Sequence, residues 1–268
     1  MAHRHWRFAH GFRSMGVFCI MTVLFDFDGT ISTLRYGWEQ VMEPLMVELL
    51  GHDQRATIQE YIDQSTGIQT ILQMEWLADQ VKARQGSALS PWEYKAEYNR
   101  RLMATVTQRR EDITSGRVNR DAYLMAGSIP LLDALTAAGA TLLVASGTDG
   151  PDVVAEVEVL GLSRYFKAVS GAPLDTANCP KEGAIRALLA TGVDTNHLAV
   201  VGDGKVEIMV GNQFGARTLG LASDEAKRQG INPIKEKRLQ AAGADKIVGD
   251  FLDTQDVLDF LLYGGRPT

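Results

Sequence analysis

Four acidic residues at the ends of predicted strands are the clearest indication of chemistry in this 268-residue chain. The apolar run from Thr22 to Phe27 leads into Asp-Gly, a pattern typical of a buried strand followed by a turn, and it carries Asp26 and Asp28. Asp203 follows a second apolar strand, and Glu207 stands one helical turn later. These side chains are candidates for binding a cation and for moving protons.

The charges of these residues predict what else the site must contain. Four clustered carboxylates would repel one another, and some would take up protons. A divalent cation with oxygen ligands removes this repulsion, and a carboxylate set without histidine or thiol favours Mg²⁺. Lys181 opens a predicted helix, where the helix dipole disfavours a cation, so its ammonium group is expected to face a phosphoryl oxygen. Ser146 ends another predicted strand, at the same edge of the sheet.

The elements after residue 128 alternate between helix and strand. This alternation predicts an α/β fold with a Rossmann-like parallel sheet and helices on both faces. The first strand must join this sheet, because an isolated strand cannot bury itself. The predicted strands are Thr141–Ala145, Phe166–Ser170, His197–Val201, Arg217–Leu221 and Lys246–Val248, and the predicted helices are Ile129–Ala138, Pro151–Leu160, Lys181–Ala190 and Thr254–Leu262.

The segment between the first two strands is predicted to be entirely helical. Helices are expected over Trp38–Leu50, where Pro44 would kink or divide the helix, over Ile68–Val81, and from the capping box at Ser90 to about Arg110. The sequence therefore predicts an all-helical cap domain (residues 34–126) inserted into an α/β core (residues 22–33 and 127–268). Residues 1–21 are interpreted as an N-terminal extension, because no small-residue cleavage site follows the apolar run that they enter.

The composition favours a cytoplasmic protein that binds neither nucleic acid nor membranes. A net charge of −6 disfavours nonspecific binding to nucleic acid or to an anionic membrane, and no apolar run reaches the ~18 residues needed to cross a bilayer. Two cysteines without a pairing pattern fit a reducing compartment. The N-terminal extension holds three of the five histidines, but it lacks other metal ligands. The sequence defines neither an oligomeric state nor a role for this extension.

The order and spacing of the candidate residues resemble the four motifs of the haloacid dehalogenase (HAD) superfamily over about 240 residues. The matching segments are Val23–Thr30 for motif I, Thr141–Gly147 for motif II, Lys181 for motif III and Val200–Glu207 for motif IV. The helical insertion resembles the cap of the phosphoglycolate phosphatase and β-phosphoglucomutase branch. The resemblance implies a Mg²⁺-dependent phosphatase that hydrolyses a small organic phosphate monoester, such as a sugar phosphate.

The resemblance also implies a role for each site residue. Asp26 would attack phosphorus and become an aspartyl-phosphate, and Asp28 would protonate the leaving oxygen and then activate water. Mg²⁺ would be bound by Asp26, the carbonyl of Asp28, and Asp203, with Glu207 as a direct or water-mediated ligand. The residues implied to hold or orient the phosphate are Ser146, Gly147, Lys181 and Thr30, the last by bonding within the Asp26 loop.

Several positions depart from the family pattern and leave alternatives open. Glu207 stands where aspartate is commoner, and residues 31–33 and 147–150 are unusual for the family. Gln69 and Arg100 are candidate substrate contacts from the cap. A phosphomutase shares every core residue and is the nearest alternative to a phosphatase. A non-catalytic phosphate-binding regulatory protein is the alternative from another class.

Overall fold

The α/β part of the protein is a parallel sheet of six strands in the computed structural model, which describes residues 20–264. The strands lie in the order β3-β2-β1-β4-β5-β6, and every neighbouring pair is parallel. The predicted fold class is confirmed. The strands are β1 (Thr22–Phe25), β2 (Thr141–Asp149), β3 (Phe166–Ala172), β4 (Leu198–Gly202), β5 (Arg217–Leu221) and β6 (Lys246–Val248).

Four helices fill residues 34–126, the segment that we call the helical insertion. They are α1 (Glu39–Leu50), α2 (Arg55–Gln64), α3 (Thr70–Gln85) and α4 (Pro91–Thr114). Pro44 lies inside α1 without dividing it. The capping box at the start of α4 is confirmed, since the Ser90 hydroxyl accepts from the Glu93 N–H and the Glu93 carboxylate accepts from the Ser90 N–H.

Six further helices cover both faces of the sheet. They are α5 (Ser128–Ala137), α6 (Gly150–Val159), α7 (Pro180–Ala190), α8 (Lys205–Gln213), α9 (Pro233–Ala241) and α10 (Thr254–Tyr263). Successive residues of a strand point to opposite faces. Val23 and Phe25 of β1 therefore pack in one cluster with residues of α5, α6 and α10, whereas Leu24 packs against Ile185 of α7 on the other face.

Helices α2 and α9 and one strand extension were not predicted from the sequence, and α8 was predicted only as the helical turn that carries Glu207. Helix α2 is short and has few apolar residues, and α9 buries only Lys235 and Leu239, so neither has a clear apolar stripe. Strand β2 runs to Asp149, four residues beyond the predicted end. This extension keeps Ser146, Gly147 and Thr148 on a strand at the edge where ligands bind in parallel sheets.

The helical insertion has a hydrophobic core of its own. Met42, Ile58, Met74 and Leu77 are each completely buried in a cluster that draws only on residues of the insertion. Among residues 20–264, no helix combines the length and the apolar character needed to span a membrane. Residues 1–19, including the three histidines of the predicted extension, lie outside the described part of the chain.

Candidate active site

The predicted catalytic residues meet in one cavity of about 110 Å³ between the sheet edge and the helical insertion. Asp26 directly follows β1, Asp203 directly follows β4, and Lys181 lies in the first turn of α7. Parallel strands end at a common edge, which explains why residues nearly 180 positions apart converge here. We call this side the cavity floor, defined by Asp26, Asp28, Ser146, Gly147, Lys181 and Asp203.

Asp26 is a buried carboxylate held between one cation and two other acids. Its Oδ1 lies 3.2 Å from Lys181 Nζ, and its backbone N–H donates to the carbonyl of Val201 on the neighbouring strand, at 2.8 Å. Burial raises the pKa of Asp26 to about 7, and the nearby Asp203 and Asp28 carboxylates act in the same direction against Lys181. An added cation at this point would favour the ionised, nucleophilic form.

Asp28 has one oxygen bound by hydroxyl groups and one without a hydrogen bond. The Thr148 hydroxyl donates to Oδ2 at 2.7 Å, and the Ser146 hydroxyl donates to the same oxygen at 3.3 Å. Oδ1 is buried, and it accepts no hydrogen bond from residues 20–264. The nearest cation to Oδ1 is Arg35 Nε, at 3.9 Å. This geometry orients Asp28 while leaving one oxygen able to exchange a proton with a ligand.

Glu207, which the sequence predicts as a direct or water-mediated metal ligand, does not line the cavity. Its carboxylate is almost completely buried and forms an ion pair with Lys181 Nζ. Helix α7 packs beside α8, and this packing places the Lys181 ammonium between Asp26 and Glu207. Glu207 therefore fixes the position of Lys181, and its role toward a metal would be indirect.

Asp203 has a lysine partner that the sequence did not predict. Lys235 of α9 lies with its Nζ 2.5 Å from Asp203 Oδ2 and 2.5 Å from Glu225 Oε1. Burial opposes the charge of Lys235, but the two carboxylates outweigh it and raise the pKa of this lysine. The Asp203 carboxylate also lies directly against Gly29, where any side chain would collide with it. These contacts hold Asp203 beside the loop that carries Asp28.

The donor set on the floor fits Mg²⁺ with few protein ligands. Within the described residues, no group of three or more histidine, cysteine or acidic side chains could hold a metal ion by itself. Mg²⁺ is commonly bound by only one or two carboxylates, together with waters and substrate phosphate oxygens. Asp26 and Asp203 supply two carboxylates, and burial, together with the neighbouring acids Asp203 and Asp28, raises the pKa of Asp26 against the effect of Lys181. The two carboxylates of the floor therefore fit such an ion.

Arg35 enters the cavity from the segment after β1 and is surrounded by acids. Its Nε and Nη2 bind Glu156 at 3.0 and 2.7 Å, and its Nη2 lies 3.5 Å from Asp152. Burial raises the pKa of Glu156 to about 7, against the attraction of Arg35. With Asp28 at 3.9 Å, one guanidinium faces three carboxylates, so its charge is already neutralised within the protein.

The helical insertion forms the opposite side of the cavity, which we call the cavity roof. Its defining residues are Trp38, Gln73, Tyr98 and Leu102. The turn at residues 66–68 joins the roof to the floor. Its Gly67 lies close to Gly204, which follows the floor residue Asp203, and a Cβ built on Gly204 would lie only 3.3 Å from the Cα of Gly67. Gly67 has φ of +88°, a conformation that favours glycine.

A buried ion pair joins the helical insertion to the sheet beside the cavity. Lys95 of α4 lies with its Nζ 2.6 Å from Asp149 Oδ1, and the Asn99 amide donates to Asp149 Oδ2 at 3.0 Å. The side chains of Lys95 and Asp149 are 8% and 11% exposed. Asp149 and Thr148 belong to the unusual residues 147–150, and both now have specific partners.

Three other predicted site residues lie away from the ligand space. The Gln69 amide donates to the carbonyl of Asn178, and the side chain does not line the cavity. Arg100 is 70% exposed and pairs with Glu97, because it lies on the solvent face of α4. The structure thus gives neither of these two residues a place against a substrate. Thr30 is fully buried outside the cavity; its backbone N–H donates to the carbonyl of Phe27 within the loop at 3.3 Å, whereas its hydroxyl lacks a hydrogen-bond partner among residues 20–264.

Several residues that line or support the site could hardly be recognised from the sequence. Tyr98 and Leu102 are spaced four apart in α4, a pattern that predicts a helix core equally well. Lys235 and Glu225 lie in a segment without a recognisable motif. Only Thr148 and Asp149 had a usable signal, since they depart from the family pattern at a strand end.

Comparison with known proteins agrees with this geometry. The profile of the haloacid dehalogenase-like hydrolases matches residues 20–215. The chain is 26% identical to a 5′-nucleotidase of Pseudomonas aeruginosa over 201 residues, 74% of this chain and 81% of that protein. It is 28% identical to a phosphoglycolate phosphatase of Caulobacter vibrioides over 149 residues, 55% of this chain and 59% of that protein.

A solved structure agrees at the level of the fold. The β-phosphoglucomutase of Clostridium difficile superimposes with a TM-score of 0.62 at 15% identity, covering 87% of this chain and 92% of that one. The resemblance of the chain to this branch is therefore confirmed at the level of the fold. Since the family profile spans both the first and the last catalytic motif, the chain belongs to the haloacid dehalogenase-like hydrolases, and it is a phosphoric monoester hydrolase of that family.

Proposed function

We propose that this protein hydrolyses a small organic phosphate monoester with Mg²⁺ and forms an aspartyl-phosphate on Asp26. The observation that carries the proposal is the placement of the buried Asp26 carboxylate beside Lys181 and two further acids in a small cavity. An ionised carboxylate that is poorly solvated and held in position is suited to act as a nucleophile. The helical insertion would act as the cap, with the boundaries given above.

The two carboxylates of motif I divide the work. An oxygen of Asp26 attacks phosphorus, and the bond between phosphorus and the leaving oxygen breaks. Asp28 donates its proton to that leaving oxygen, so that a neutral alcohol departs. In the second half, Asp28 takes a proton from water as the water oxygen attacks phosphorus, which releases phosphate and restores Asp26. The hydroxyls of Thr148 and Ser146 keep Asp28 oriented for both transfers.

The remaining floor residues would hold the phosphoryl group. Lys181 and Ser146 line the cavity together with Gly147, so they can contact the oxygens on which negative charge develops. Glu207 fixes the Lys181 ammonium from behind. Mg²⁺, bound by Asp26, the Asp28 carbonyl and Asp203, would neutralise charge on the phosphate and on the acids.

The experiment is an assay of phosphate release from p-nitrophenyl phosphate and a panel of phosphomonoesters, with Mg²⁺ or with EDTA. We expect turnover only with Mg²⁺, and we expect Asp26→Asn to lose at least about 1,000-fold in kcat/KM. Turnover in EDTA, or an unimpaired Asp26→Asn variant, would contradict the proposal. A phosphomutase would convert a sugar phosphate into its isomer with little phosphate release, and a regulatory protein would bind phosphate without turnover.

A further inference from the structure

We propose that the leaving group of the substrate is small and uncharged, and that the hydroxyl of Tyr98 binds it. This inference rests on the phosphatase function proposed above and adds the chemical class of its substrate. It assigns Tyr98 as a specificity-determining residue. Three observations carry it: the state of Tyr98, the charges along the cavity and the size of the cavity.

Tyr98 is a buried polar side chain whose polar atom has no protein partner. The residue is 3% exposed and lines the cavity from α4. Its hydroxyl forms no hydrogen bond with any residue from 20 to 264, whereas buried tyrosine hydroxyls usually find a partner. Burial raises the pKa of Tyr98, so the hydroxyl stays protonated and can both donate and accept. A ligand with its own hydroxyl or ether oxygen would satisfy this group.

The charges along the cavity disfavour an anionic leaving group. Among the described lining residues, the cations are Arg35 and Lys181. Lys181 is engaged by Asp26 and Glu207 on the floor, and Arg35 faces Glu156, Asp152 and Asp28. A carboxylate on the leaving group would therefore enter without a cation free to pair with it. The cost of leaving such a charge unpaired in an enclosed site exceeds that of a neutral hydroxyl.

The size and chemistry of the roof set a further limit on the substrate. The cavity of about 110 Å³ is smaller than the ~300–1,000 Å³ typical of sites for drug-sized ligands. Its upper wall combines the apolar side chains of Trp38 and Leu102 with the polar groups of Tyr98 and Gln73. Such a wall suits a compact polyol or short alcohol that presents both carbon and hydroxyl groups.

The test compares three esters in the full-length protein with Mg²⁺: glycerol 1-phosphate, 2-phosphoglycolate and p-nitrophenyl phosphate. We expect kcat/KM for glycerol 1-phosphate to exceed that for 2-phosphoglycolate by at least about tenfold. We expect Tyr98→Phe to lower kcat/KM for glycerol 1-phosphate by about tenfold and to leave p-nitrophenyl phosphate within about twofold, because only the former ester presents a hydroxyl to position 98.

Tyr94→Phe is the matched control, because Tyr94 is buried on the same helix but its hydroxyl accepts from the Leu89 N–H outside the cavity. This variant should leave all three esters unchanged, and melting temperatures of both variants would show whether folding is intact. Preference for 2-phosphoglycolate, or an equal effect of Tyr98→Phe on glycerol 1-phosphate and p-nitrophenyl phosphate, would overturn the inference. Absence of turnover with every ester would instead overturn the proposed phosphatase function.

Discussion

The floor and the roof of the cavity differ in charge and in origin. The floor combines acids at strand ends with Lys181 at a helix start, and its residues come from four separated segments of the chain. The roof comes from the helical insertion, and its residues Trp38, Gln73, Tyr98 and Leu102 carry no formal charge. If the proposed function holds, the floor performs the reactions common to all phosphate esters, whereas the roof selects among leaving groups.

This division predicts that floor variants affect every ester alike. Asp203→Asn removes one of the two carboxylates proposed to bind Mg²⁺, so the Mg²⁺ concentration for half-maximal activity should rise by about 10- to 100-fold with all substrates. The rise in melting temperature that Mg²⁺ causes in the wild-type protein should shrink in parallel. Asp224→Asn, which removes a partly exposed partner of Lys227 on the segment after β5, is the control and should change neither quantity. An unchanged Mg²⁺ requirement in Asp203→Asn would remove Asp203 from the metal site.

The ionised Asp26 carboxylate on the floor should also destabilise the folded protein, whereas the roof has no charged residue with such an effect. The pKa of folded Asp26 is raised from 3.8 to about 7, so the folded state holds a proton that the unfolded state has lost across this range. The contribution of Asp26 to the free energy of unfolding of the wild-type protein therefore falls as pH rises from about 4 to about 7. Without metal, Asp26→Asn should be more stable than wild type at pH 8, on the order of 2 kcal/mol, with no difference near pH 4. Denaturant unfolding in EDTA at both pH values measures this, and a less stable variant at pH 8 would contradict it.

A variant that breaks the ion pair of Lys95 and Asp149 tests whether this pair holds the roof over the floor. Lys95→Met leaves Asp149 with only the Asn99 amide, so closure of the insertion should become less favourable. We expect kcat/KM to fall by about tenfold for esters with charged and uncharged leaving groups alike. Arg100→Met is the control on the same helix, because its pair with Glu97 is exposed. A loss confined to one class of leaving group would show instead that Lys95 helps to select the substrate.

Sequence reasoning succeeded for the floor for a physical reason. A parallel sheet brings all its strand ends to one edge, so the positions of Asp26, Ser146 and Asp203 follow once the strands are recognised. It did not predict the ion pair of Glu207 with Lys181, because the packing of α7 beside α8 decides which cation a buried carboxylate meets. No local pattern encodes the distance between two helices.

The roof could not be predicted in the same way. Tyr98 follows a helical spacing that serves equally for packing inside the insertion, where Tyr94 is indeed buried. Gln69 and Arg100 were plausible polar candidates, but the orientations of α3 and α4 turn them away from the cavity. The facing side of a helix depends on how the insertion sits over the sheet, which is a long-range property. Thr148 and Asp149 depart from the family pattern, and this departure was the one sequence feature that marked the place where the insertion contacts the sheet.

The aspartyl-phosphate is the central element of the account, and it can be trapped chemically. The protein is mixed with Mg²⁺ and a turned-over ester, quenched, reduced with borohydride and digested for peptide mass spectrometry. An acyl phosphate at Asp26 would be reduced to homoserine, so we predict this conversion at position 26 only when ester and Mg²⁺ are both present. Reduction at another residue, or phosphate release without any reduced residue in the peptide that contains position 26, would contradict the account.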